Sequence, residues 1–542
     1  MLRLDKKNMK DFLQWEKAGI RLPQVDVERM IARTKSDPRW VHVGPGNIFR
    51  GYVAALAQDL LDRGEMDSGI TVLSTFDHQV ISKIYEPHDN LALQVIMRPG
   101  GGLEKRVIAS VGEVLRADEA YTSEWDRAGE IFRSPGLQMV SFTITEKGYH
   151  IRDMSGAYYP EVLEDFERDC SREIPRNGMA IMAALLHQRF LGGAYPLAMV
   201  SMDNFSHNGD KLFDSLSTFA REWVKRGLVS PEFVSYLENP EKVSFPWSMI
   251  DKITPRPDET VAQKLRELGF TDTDLVITDK YTYIAPFVNT EGPQYLVVED
   301  AFPNSRPPLE TVGVRFTPRE TVDLVERMKV CTCLNPLHTA LAIFGCLLGY
   351  TSIASEMRDP SLVKLVEIIG YREGMPVVAD PGIFVPSEFL KEVLEERFPN
   401  PFIPDTPQRI ATDTSQKLSI RYGETLKQYR DREDLDVTSL EAIPLVIAGW
   451  CRYLLGLDDR GEPMSLSPDP LLPELGQYVR EIQLGKELPE GVLVPILSSE
   501  RLFGSDLYEL GIASKVECYV SKMIEGPGAV RRTLDEIMAK ER

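Results

Sequence analysis

Residues 329–338, KVCTCLNPLH, bring a lysine, an asparagine and a histidine together in a chain that has only seven histidines. Amine, amide and imidazole groups are side chains that transfer protons and donate hydrogen bonds in enzyme sites. Each also has an ordinary structural interpretation: Lys329 as a solvated charge, Asn335 as a helix cap and His338 as a satisfied residue of the first helical turn. The segment alone does not decide between these interpretations.

Composition limits the classes of function that the chain can have. Its 542 residues include 62 basic and 82 acidic side chains, which give a formal net charge of −20. This length predicts at least two large domains. The negative charge argues against nucleic acid or an anionic membrane as the main partner. A small anionic substrate would need a locally basic pocket.

Other global features point to a reducing compartment. No run of about 18 residues is apolar throughout, so we expect no membrane span, and the N-terminus lacks the apolar centre of a signal peptide. Six cysteines in so long a chain do not form a disulfide framework. Cys331 and Cys333 lack a second pair at zinc-ligand spacing, so we expect no metal. The expected location is the cytoplasm.

The hydrophobic pattern changes along the chain and predicts an α/β fold with two main domains. Residues 1–38 have the pattern of an N-terminal helical extension. Residues 39–310 alternate strand and helix patterns, which predicts a Rossmann-like domain with a largely parallel sheet. Its predicted strands are 40–43, 69–76, 137–145 and 195–202. Residues 311–542 predict a mainly α-helical domain, and the acidic-to-proline stretch 297–310 is the expected hinge. The predicted helices are 318–329, 336–358, 360–373, 386–397, 406–430, 436–455, 469–483, 499–511 and 527–541.

A sharp turn follows the first predicted strand, in the sequence WVHVGPGNIFR. Gly44 and Gly46 would let the backbone approach a phosphate group, and the next helix would point its N-terminal amides at it. Asn47 and Arg50 are candidate polar contacts. The third glycine of the dinucleotide fingerprint is absent, with Phe49 in its place, so an ordinary turn stays an alternative.

Asp77 follows the second predicted strand. An acidic side chain at that position can accept hydrogen bonds from both ribose hydroxyls of NAD, and it would repel the extra phosphate of NADP. The alternative is a loop or capping aspartate, because Asp-His-Gln could begin a helix. Together with the glycine turn, Asp77 predicts NAD as the cofactor.

Polar groups concentrate in four later stretches with otherwise apolar surroundings. Two of them follow predicted strands, where open α/β sheets bind ligands. Taken singly, Glu146 could be an exposed carboxylate at a strand end, Asn204 and Asn208 loop residues, and Asp251 a cap. The four stretches are TITEKGYH, SMDNFSHNGDKL, FPWSMIDKITPRPDE and KVCTCLNPLH.

The combination resembles the polyol-specific long-chain dehydrogenase/reductase family, also called the mannitol dehydrogenase family. The matching features span residues 40 to about 425. The resemblance implies a nucleotide-binding domain, a mostly helical C-terminal domain, an active site between them, and no catalytic metal. The matching motifs are GPGNIFR, TITEKGY, DNFSHNG, the Asp-Lys stretch before Thr-Pro, Val-Glu-Asp, LNPLHTALAIFGCLLGY and RFPNPFIPDTPQRIATDTSQK.

By the same resemblance, Lys329 is the general acid/base, and Asn335 and His338 hold the substrate. Reduction of a ketone by hydride leaves an alkoxide, which needs a proton donor and hydrogen-bond donors around it. The family usually spaces the lysine five residues before the asparagine, whereas the interval here is six. A one-residue bulge would absorb the difference; otherwise Lys252 or Lys147 is the acid/base.

The resemblance assigns five further site residues. Glu146 matches the carboxylate that gates the proton path. Asn204 matches a substrate or oxyanion contact, with Asn208 as its rival. Asp251 matches a substrate-binding or supporting aspartate. Arg409 is the better candidate for the substrate-binding arginine, with Arg397 as the alternative. The fifth is Lys147.

Lys147 bears on the substrate, because a lysine in the TEKGY motif resembles the hexuronate reductases of the family. Lys147 and Arg409 could then clamp the two ends of a linear sugar acid. We therefore expect reversible reduction of D-fructuronate to D-mannonate with NAD. The alternatives are D-tagaturonate, a plain polyol/ketose pair such as mannitol and fructose, and a nucleotide-binding protein without catalysis. We expect a monomer or a small homo-oligomer.

Overall fold

The computed structural model describes residues 1–98, 100–153 and 155–541. They form two compact units, residues 1–323 and residues 324–542. The stretch 297–310, expected as the hinge, lies inside the first unit. Its first residues belong to a strand, Tyr295–Glu299.

A six-stranded sheet forms the centre of the first unit. Every neighbouring pair in it is parallel. The predicted α/β domain with a largely parallel sheet is confirmed. In spatial order the strands are Val111–Arg116, Ile70–Ser74, Trp40–Val43, Met139–Phe142, Leu197–Ser201 and Val243–Ser244. The first strand in sequence lies in the middle and the order reverses beside it, which is the arrangement of a doubly wound dinucleotide-binding sheet.

The strands of this sheet are short and apolar because helices cover both faces. All four residues of Trp40–Val43 and all five of Ile70–Ser74 are buried. A strand that is buried on both faces has a continuous apolar run instead of an alternating pattern. The main helices of this unit are Val27–Ser36, Ala54–Asp62, Thr122–Arg133, Pro160–Glu167, Gly178–Leu191, Asn208–Lys225, Pro231–Glu238 and Glu259–Glu267.

Three smaller sheets complete the first unit. The N-terminal residues 1–38 contribute the strand Ile20–Arg21, which pairs with Leu103–Ile108. The three smaller sheets contain nine strands in total. The largest of them has four strands, in the order Ile20–Arg21, Leu103–Ile108, Ala92–Met97 and Phe287–Glu291. The others are Ser248–Asp251, Tyr295–Glu299 and Arg315–Thr317 in a second sheet, and Val276–Ile277 with Tyr283–Ile284 in a third.

The second unit is helical, as predicted. The predicted helix 336–358 is interrupted because Gly349 takes a left-handed conformation and ends the first helix. The predicted helix 499–511 was wrong beyond Phe503, since Gly504 ends it in the same way, and the helix Ala513–Met523 was missed. The α-helices are Arg319–Arg327 at the unit boundary, Asn335–Leu348, Ile353–Glu356, Pro360–Glu367, Pro386–Glu392, Pro407–Ile410, Glu424–Asp431, Ala442–Tyr453, Leu472–Val479, Val494–Leu497, Glu500–Phe503, Ala513–Met523 and Ala529–Lys540.

Several helices are continued by π-helical turns, in which a backbone N–H bonds to the carbonyl five residues earlier. Such turns are often found at functional sites. Four candidate or neighbouring site residues lie in them, namely Arg50, Lys329, Arg397 and Arg421. The π-helical segments are Phe49–Val53, Ile81–Tyr85, Met328–Cys333, Ile368–Gly374, Val393–Arg397 and Ser419–Gly423.

One continuous helical stretch in the described residues, Arg319–Leu348, is long and apolar enough to cross a membrane by length and composition. Its most apolar window is 78% buried inside the protein. A core helix of a globular protein has the same properties.

Candidate active site

The glycine turn after Trp40–Val43 has one glycine that the fold requires and one that leaves space. Gly44 has φ +110°, and a Cβ there would lie 2.3 Å from the carbonyl oxygen of Thr143. At Gly46 a Cβ would meet no atom within 4 Å. Gly44 is therefore needed for packing against the neighbouring strand, whereas Gly46 keeps the backbone accessible to a ligand.

Asn47 and Arg50 each have one buried polar atom without a hydrogen-bond partner. The Asn47 amide nitrogen donates to the Tyr283 carbonyl at 3.0 Å, and one Arg50 nitrogen donates to the Pro286 carbonyl at 3.0 Å. The Asn47 Oδ1 and Arg50 Nη1 atoms have no partner. Burial lowers the pKa of Arg50 to about 10. Buried polar atoms are normally paired, so these two fit contacts to a bound ligand.

Phe49 occupies the position of the missing third glycine. Its ring is fully buried and stacks on the imidazole of His42, with centroids 4.2 Å apart. His42 in turn contacts the hydroxyls of Ser141 and Thr143 at 2.7 and 2.9 Å. The close approach that a glycine allows between helix and strand is replaced here by an aromatic contact.

Asp77 uses only one of its carboxylate oxygens within the protein. Oδ2 accepts hydrogen bonds from the hydroxyls of Thr278, at 2.6 Å, and Thr282. Oδ1 is buried and has no partner. The side chain is thus held in place with one acceptor left over, which fits a ribose hydroxyl. The glycine turn, Asn47, Arg50 and Asp77 together fit a dinucleotide.

The TITEKGY motif forms a strained loop after the strand Met139–Phe142. Thr145 has φ +66° and ψ +157°, a conformation that costs energy for a residue other than glycine. Asp203 stabilises it by accepting hydrogen bonds from the backbone N–H groups of Ile144 and Thr145, at 2.8 and 3.0 Å. The Tyr149 hydroxyl donates to the same carboxylate at 2.7 Å. Burial raises the pKa of Asp203.

This loop presents two predicted site residues at the surface of the first unit. Glu146 and Lys147 begin the short 3₁₀ helix Glu146–Tyr149, and both are exposed. A Glu146 carboxylate oxygen lies 3.8 Å from Nε2 of His150. Lys147 forms no ion pair or side-chain hydrogen bond with any residue that the structure describes. Their assigned roles stay predictions.

The two asparagines of the DNFSHNG motif differ in their surroundings. The Asn208 side chain is buried, donates to the Asp203 and Ser248 carbonyls at 3.0 and 2.9 Å, and accepts from the Ser248 N–H at 3.0 Å. It joins two segments of the chain, and because it is fully buried with its amide nitrogen used within the protein, a structural role fits it better than substrate contact. Asn204 is exposed and stays the predicted substrate contact.

Asp251 and Lys252 lie at the end of the strand Ser248–Asp251. Asp251 is buried, and its charge contributes to the raised pKa of Tyr52 after the effect of burial. The Lys252 ammonium donates to the Glu291 carbonyl at 2.6 Å and to the Gly292 carbonyl at 3.4 Å. Lys252 therefore has a structural role, which weakens it as an alternative acid/base.

Lys329 lies in the π-helical segment Met328–Cys333 of the second unit and is only 3% exposed. Its carbonyl accepts a hydrogen bond from the N–H of Leu334 at 3.0 Å. A π turn holds one residue more than an α turn, so this turn agrees with the first of the two explanations for the six-residue spacing, a one-residue bulge.

Asn335 is the first residue of the helix Asn335–Leu348, and the capping position belongs to Leu334. The interpretation of Asn335 as the cap was therefore wrong, since the helix starts one residue earlier than expected and Pro336 takes its second position. The Asn335 side chain makes no hydrogen bond to any residue in the described part of the chain. Its amide is left for another partner.

His338 lies in the first turn of the same helix with its side chain 16% exposed. Its Nε2 is 3.5 Å from a carboxylate oxygen of Asp405 but forms no hydrogen bond. The ring packs on Phe398, with centroids 5.1 Å apart. Burial, with Asp405 acting in the opposite direction, lowers the pKa of His338 to about 4. The imidazole is therefore neutral at pH 7.

Three arginines surround His338, and their charges also lower its pKa. Arg409 pairs with Asp405 and is 62% exposed. Arg397 is buried. Arg421, which lies in the π-helical segment Ser419–Gly423, donates to the Thr339 hydroxyl next to His338. The second unit thus brings Asn335, His338 and these arginines together.

Sequence reasoning missed Asp203, Asp405 and Arg421. Asp203 and Asp405 are part of motifs that were quoted for other residues, DNFSHNG and PDTPQR. The signal for Asp203 was its place directly after a buried strand. Arg421 had no signal, because an arginine in a helical pattern is ordinarily solvated.

Two family models match this chain. The mannitol dehydrogenase Rossmann domain matches residues 38–311, and the mannitol dehydrogenase C-terminal domain matches residues 321–520. D-mannonate oxidoreductase of Thermotoga maritima is 54% identical over 543 residues, and the match covers 100% of both chains. Mannitol 2-dehydrogenase of Phaeosphaeria nodorum is 28% identical over 86% of this chain and 76% of its own length.

Solved structures agree with these matches. Mannitol 2-dehydrogenase of Pseudomonas fluorescens, in a ternary complex with NAD and D-mannitol, superposes with a TM-score of 0.69 at 25% identity over 99% of this chain and 100% of its own. A D-sorbitol dehydrogenase has the same fold, with a TM-score of 0.76 at 22% identity over 97% and 99% of the two chains. The resemblance found in the sequence motifs is confirmed, and the chain belongs to the mannitol dehydrogenase family of oxidoreductases.

Proposed function

We propose that this protein is an NAD-dependent oxidoreductase that interconverts D-fructuronate and D-mannonate. The observation that carries the proposal is the 54% identity, over the full length of both chains, to D-mannonate oxidoreductase of Thermotoga maritima. The basic surroundings of His338 agree with it, because a protein of net charge −20 needs a local cluster of cations to bind a sugar acid.

NAD is the cofactor in this proposal, and its binding residues come from the first unit. Gly44 shapes the turn and Gly46 leaves space for the pyrophosphate. The unpaired Asn47 Oδ1 accepts a hydrogen bond from the ligand, and the unpaired Arg50 Nη1 donates one to it. The unpaired Oδ1 of Asp77 accepts from the adenosine ribose and disfavours a 2′-phosphate. Bound NADH supplies the hydride that reduces the substrate carbonyl carbon.

Lys329, Asn335 and His338 handle the oxygen at the reacting carbon. Lys329 gives a proton to that oxygen during reduction and takes it back during oxidation. Asn335, whose amide has no partner in the described residues, and neutral His338, whose Nε2 lacks a hydrogen bond, orient the oxygen. Hydrogen bonds of this kind stabilise the charge that develops on the alkoxide.

The remaining predicted residues support this chemistry. Glu146 is exposed, which suits exchange of the proton with solvent. Asn204 and Asp251 contact or orient the substrate, while Arg409 and Lys147 supply positive charge for the sugar acid. We further propose that the protein works in the cytoplasm as a monomer or a small homo-oligomer. Its six cysteines are free thiols, which suits a reducing compartment.

The test is a substrate panel that follows NADH oxidation with D-fructuronate, D-tagaturonate and D-fructose. We expect the largest kcat/KM with fructuronate, and the reverse reaction with D-mannonate and NAD. Prolonged incubation with a chelator should leave activity intact. A preference for tagaturonate would move the assignment within the hexuronates, whereas a preference for fructose would overturn the sugar-acid assignment.

A further inference from the structure

Arg421 is a partly buried guanidinium without a negative partner. It lies in the π-helical segment Ser419–Gly423 and donates one hydrogen bond, to the Thr339 hydroxyl. It forms no ion pair with a carboxylate anywhere in the described residues. Burial lowers its pKa to about 10. A partly desolvated cation without a counter-charge gains stability when an anion binds to it.

Two buried arginines, Arg189 and Arg452, are satisfied by backbone carbonyls, whereas Arg50 keeps one unpaired nitrogen on the proposed cofactor side. Arg189 donates to five backbone carbonyls, at 2.6 to 3.1 Å. Arg452 donates to three, at 2.7 to 3.3 Å. Those arginines fix loops, which is the common structural role of a buried guanidinium. Arg421 differs because its guanidinium donates only to Thr339 among the residues that the structure describes.

The position of Arg421 is fixed by its neighbours. The Tyr422 hydroxyl donates to the Pro336 carbonyl at 2.6 Å, so the turn is tied to the start of the helix Asn335–Leu348. A Cβ at Gly423 would lie 2.0 Å from the Phe503 carbonyl oxygen, so the turn also packs closely on its other side. The backbone that carries Arg421 is therefore fixed, and its guanidinium is held beside Thr339 by the hydrogen bond to that hydroxyl.

Nearby charges favour an anion at this place. Burial lowers the pKa of Lys417, and Arg421 has the next largest effect in the same direction, ahead of the opposing effects of Asp413 and Asp469. The Arg409 guanidinium is already paired with Asp405. A carboxylate next to Arg421 would relieve the repulsion between the cations, and it would satisfy the fork of donors in the bidentate geometry that arginine prefers.

We propose that Arg421 binds the carboxylate of the sugar-acid substrate and so selects hexuronates over neutral ketoses. This inference rests on the proposed function. The spacing agrees with it: Thr339 lies four residues after Asn335 on one helix, a rise of about 6 Å. The ketone and carboxylate carbons of fructuronate are four bonds apart, about 5 Å when extended. One end of the substrate can therefore meet Asn335 and the other Arg421.

The test compares wild type with Arg421→Gln and Arg421→Lys on fructuronate and on fructose. We expect Arg421→Gln to lose about 10- to 100-fold in kcat/KM for fructuronate, mainly through KM, with little loss or a gain for fructose. Arg421→Lys should lose less. Arg430→Gln, an exposed arginine on the helix that continues this turn, is the control and should behave as wild type.

Binding gives a second readout that does not depend on turnover. In the presence of NAD, D-mannonate should raise the Tm of the wild-type protein. The Arg421→Gln variant should lose most of this increase in Tm. D-mannitol should change the Tm of the wild type and of the variant equally. Equal losses on fructuronate and fructose, or a loss of mannonate binding confined to Lys147→Gly or Arg409→Gln, would overturn the assignment of Arg421. A wild type that reduces fructose but not fructuronate would instead overturn the proposed function.

Discussion

The carbonyl oxygen of Lys329 accepts a hydrogen bond from the backbone N–H of Leu334, five residues later in the chain, at 3.0 Å. This bond closes a π turn directly before the helix Asn335–Leu348. A π turn accommodates one inserted residue without changing the direction of the helix. The six-residue interval between Lys329 and Asn335 therefore does not by itself exclude Lys329 as the acid/base.

Deletion of Val330 should convert this π turn into an α turn. Lys329 would then precede Asn335 by five residues and would keep its direction, since the extra residue alone is removed. We expect kcat/KM within about 10-fold of wild type, measured with the preferred substrate of the panel. Val330 is suitable for the deletion because it is only partly buried.

Deletion of Ala342 is the matched control, because it removes a residue from a regular α-helical region. There the deletion rotates the following residues by about 100° and should abolish folding or activity. A Val330 deletion that folds with wild-type Tm but loses activity as completely as Lys329→Ala would show that the π turn itself is required.

Substitution of Lys329 by alanine should lower kcat by about 10²- to 10⁴-fold, as expected for loss of a general acid. Steady-state kinetics with saturating NADH would measure this, and small amines in the buffer should restore part of the activity. Lys252→Ala is the comparison, since the Lys252 ammonium is used by the Glu291 and Gly292 carbonyls. If Lys252→Ala loses activity and Lys329→Ala does not, the assignment is wrong.

Replacement of Asp77 by asparagine should weaken the preference for NADH over NADPH by about 10- to 100-fold, the scale of charge-assisted hydrogen bonds to ribose. The ratio of kcat/KM for the two cofactors measures it. Asp279→Asn, in the turn that contacts Gln79, is the control and should leave the ratio unchanged. A wild type that prefers NADPH would show that Asp77 does not contact the ribose.

Asp203 is a positioning residue for the TITEKGY loop. In Asp203→Asn, one carboxylate oxygen becomes an NH₂ group, which cannot accept hydrogen bonds from the backbone N–H groups of Ile144 and Thr145. The free energy of unfolding should therefore fall by about 1–3 kcal/mol. Because the loop carries Glu146, we also expect lower kcat and an altered pH profile at temperatures where the variant is folded. Tyr149→Phe, which removes one of the three hydrogen bonds to Asp203, should have a smaller effect. A folded Asp203→Asn with wild-type kcat and pH profile would contradict this role.

Because of Glu356, the free energy of unfolding should decrease as the pH rises. Its side chain is fully buried, neither carboxylate oxygen has a partner, and burial raises its pKa from 4.5 to about 9. Between these values the folded protein holds a proton that the unfolded chain has released. The free energy of unfolding therefore falls as pH increases through this range.

Glu356→Gln stays neutral and should remove this part of the decline, raising stability at pH 8 by about 1–3 kcal/mol. Thermal unfolding from pH 5 to pH 9 measures it, with the exposed Glu367→Gln as control. A wild type and a Glu356→Gln variant with parallel stability profiles would contradict the prediction.

Local pattern was enough to predict the two kinds of unit. The strands Trp40–Val43 and Ile70–Ser74 are buried on both faces. Strands of this kind can be recognised in a sequence as short continuous apolar runs. The glycine turn, Asp77 and the motifs around Asn204 and His338 can be recognised from residue type and order alone. Because recognising them needs no knowledge of long-range contacts, these motifs were enough to identify the family.

Long-range packing decided the rest. The sequence could not show that Asn208 is hydrogen-bonded to Ser248 or that Asp203 holds Thr145, because these pairs are contributed by distant segments. It also could not show that the Arg421 guanidinium donates only to Thr339 among the described residues, whereas Arg452 donates to three carbonyls. Arg421 differs from Arg452 only in what the folded chain places around it, and the energy of a buried charge depends on those surroundings. The π turn at Arg421 had no signal in the sequence, whereas the one at Lys329 was suggested only by comparing its spacing from Asn335 with that of the family.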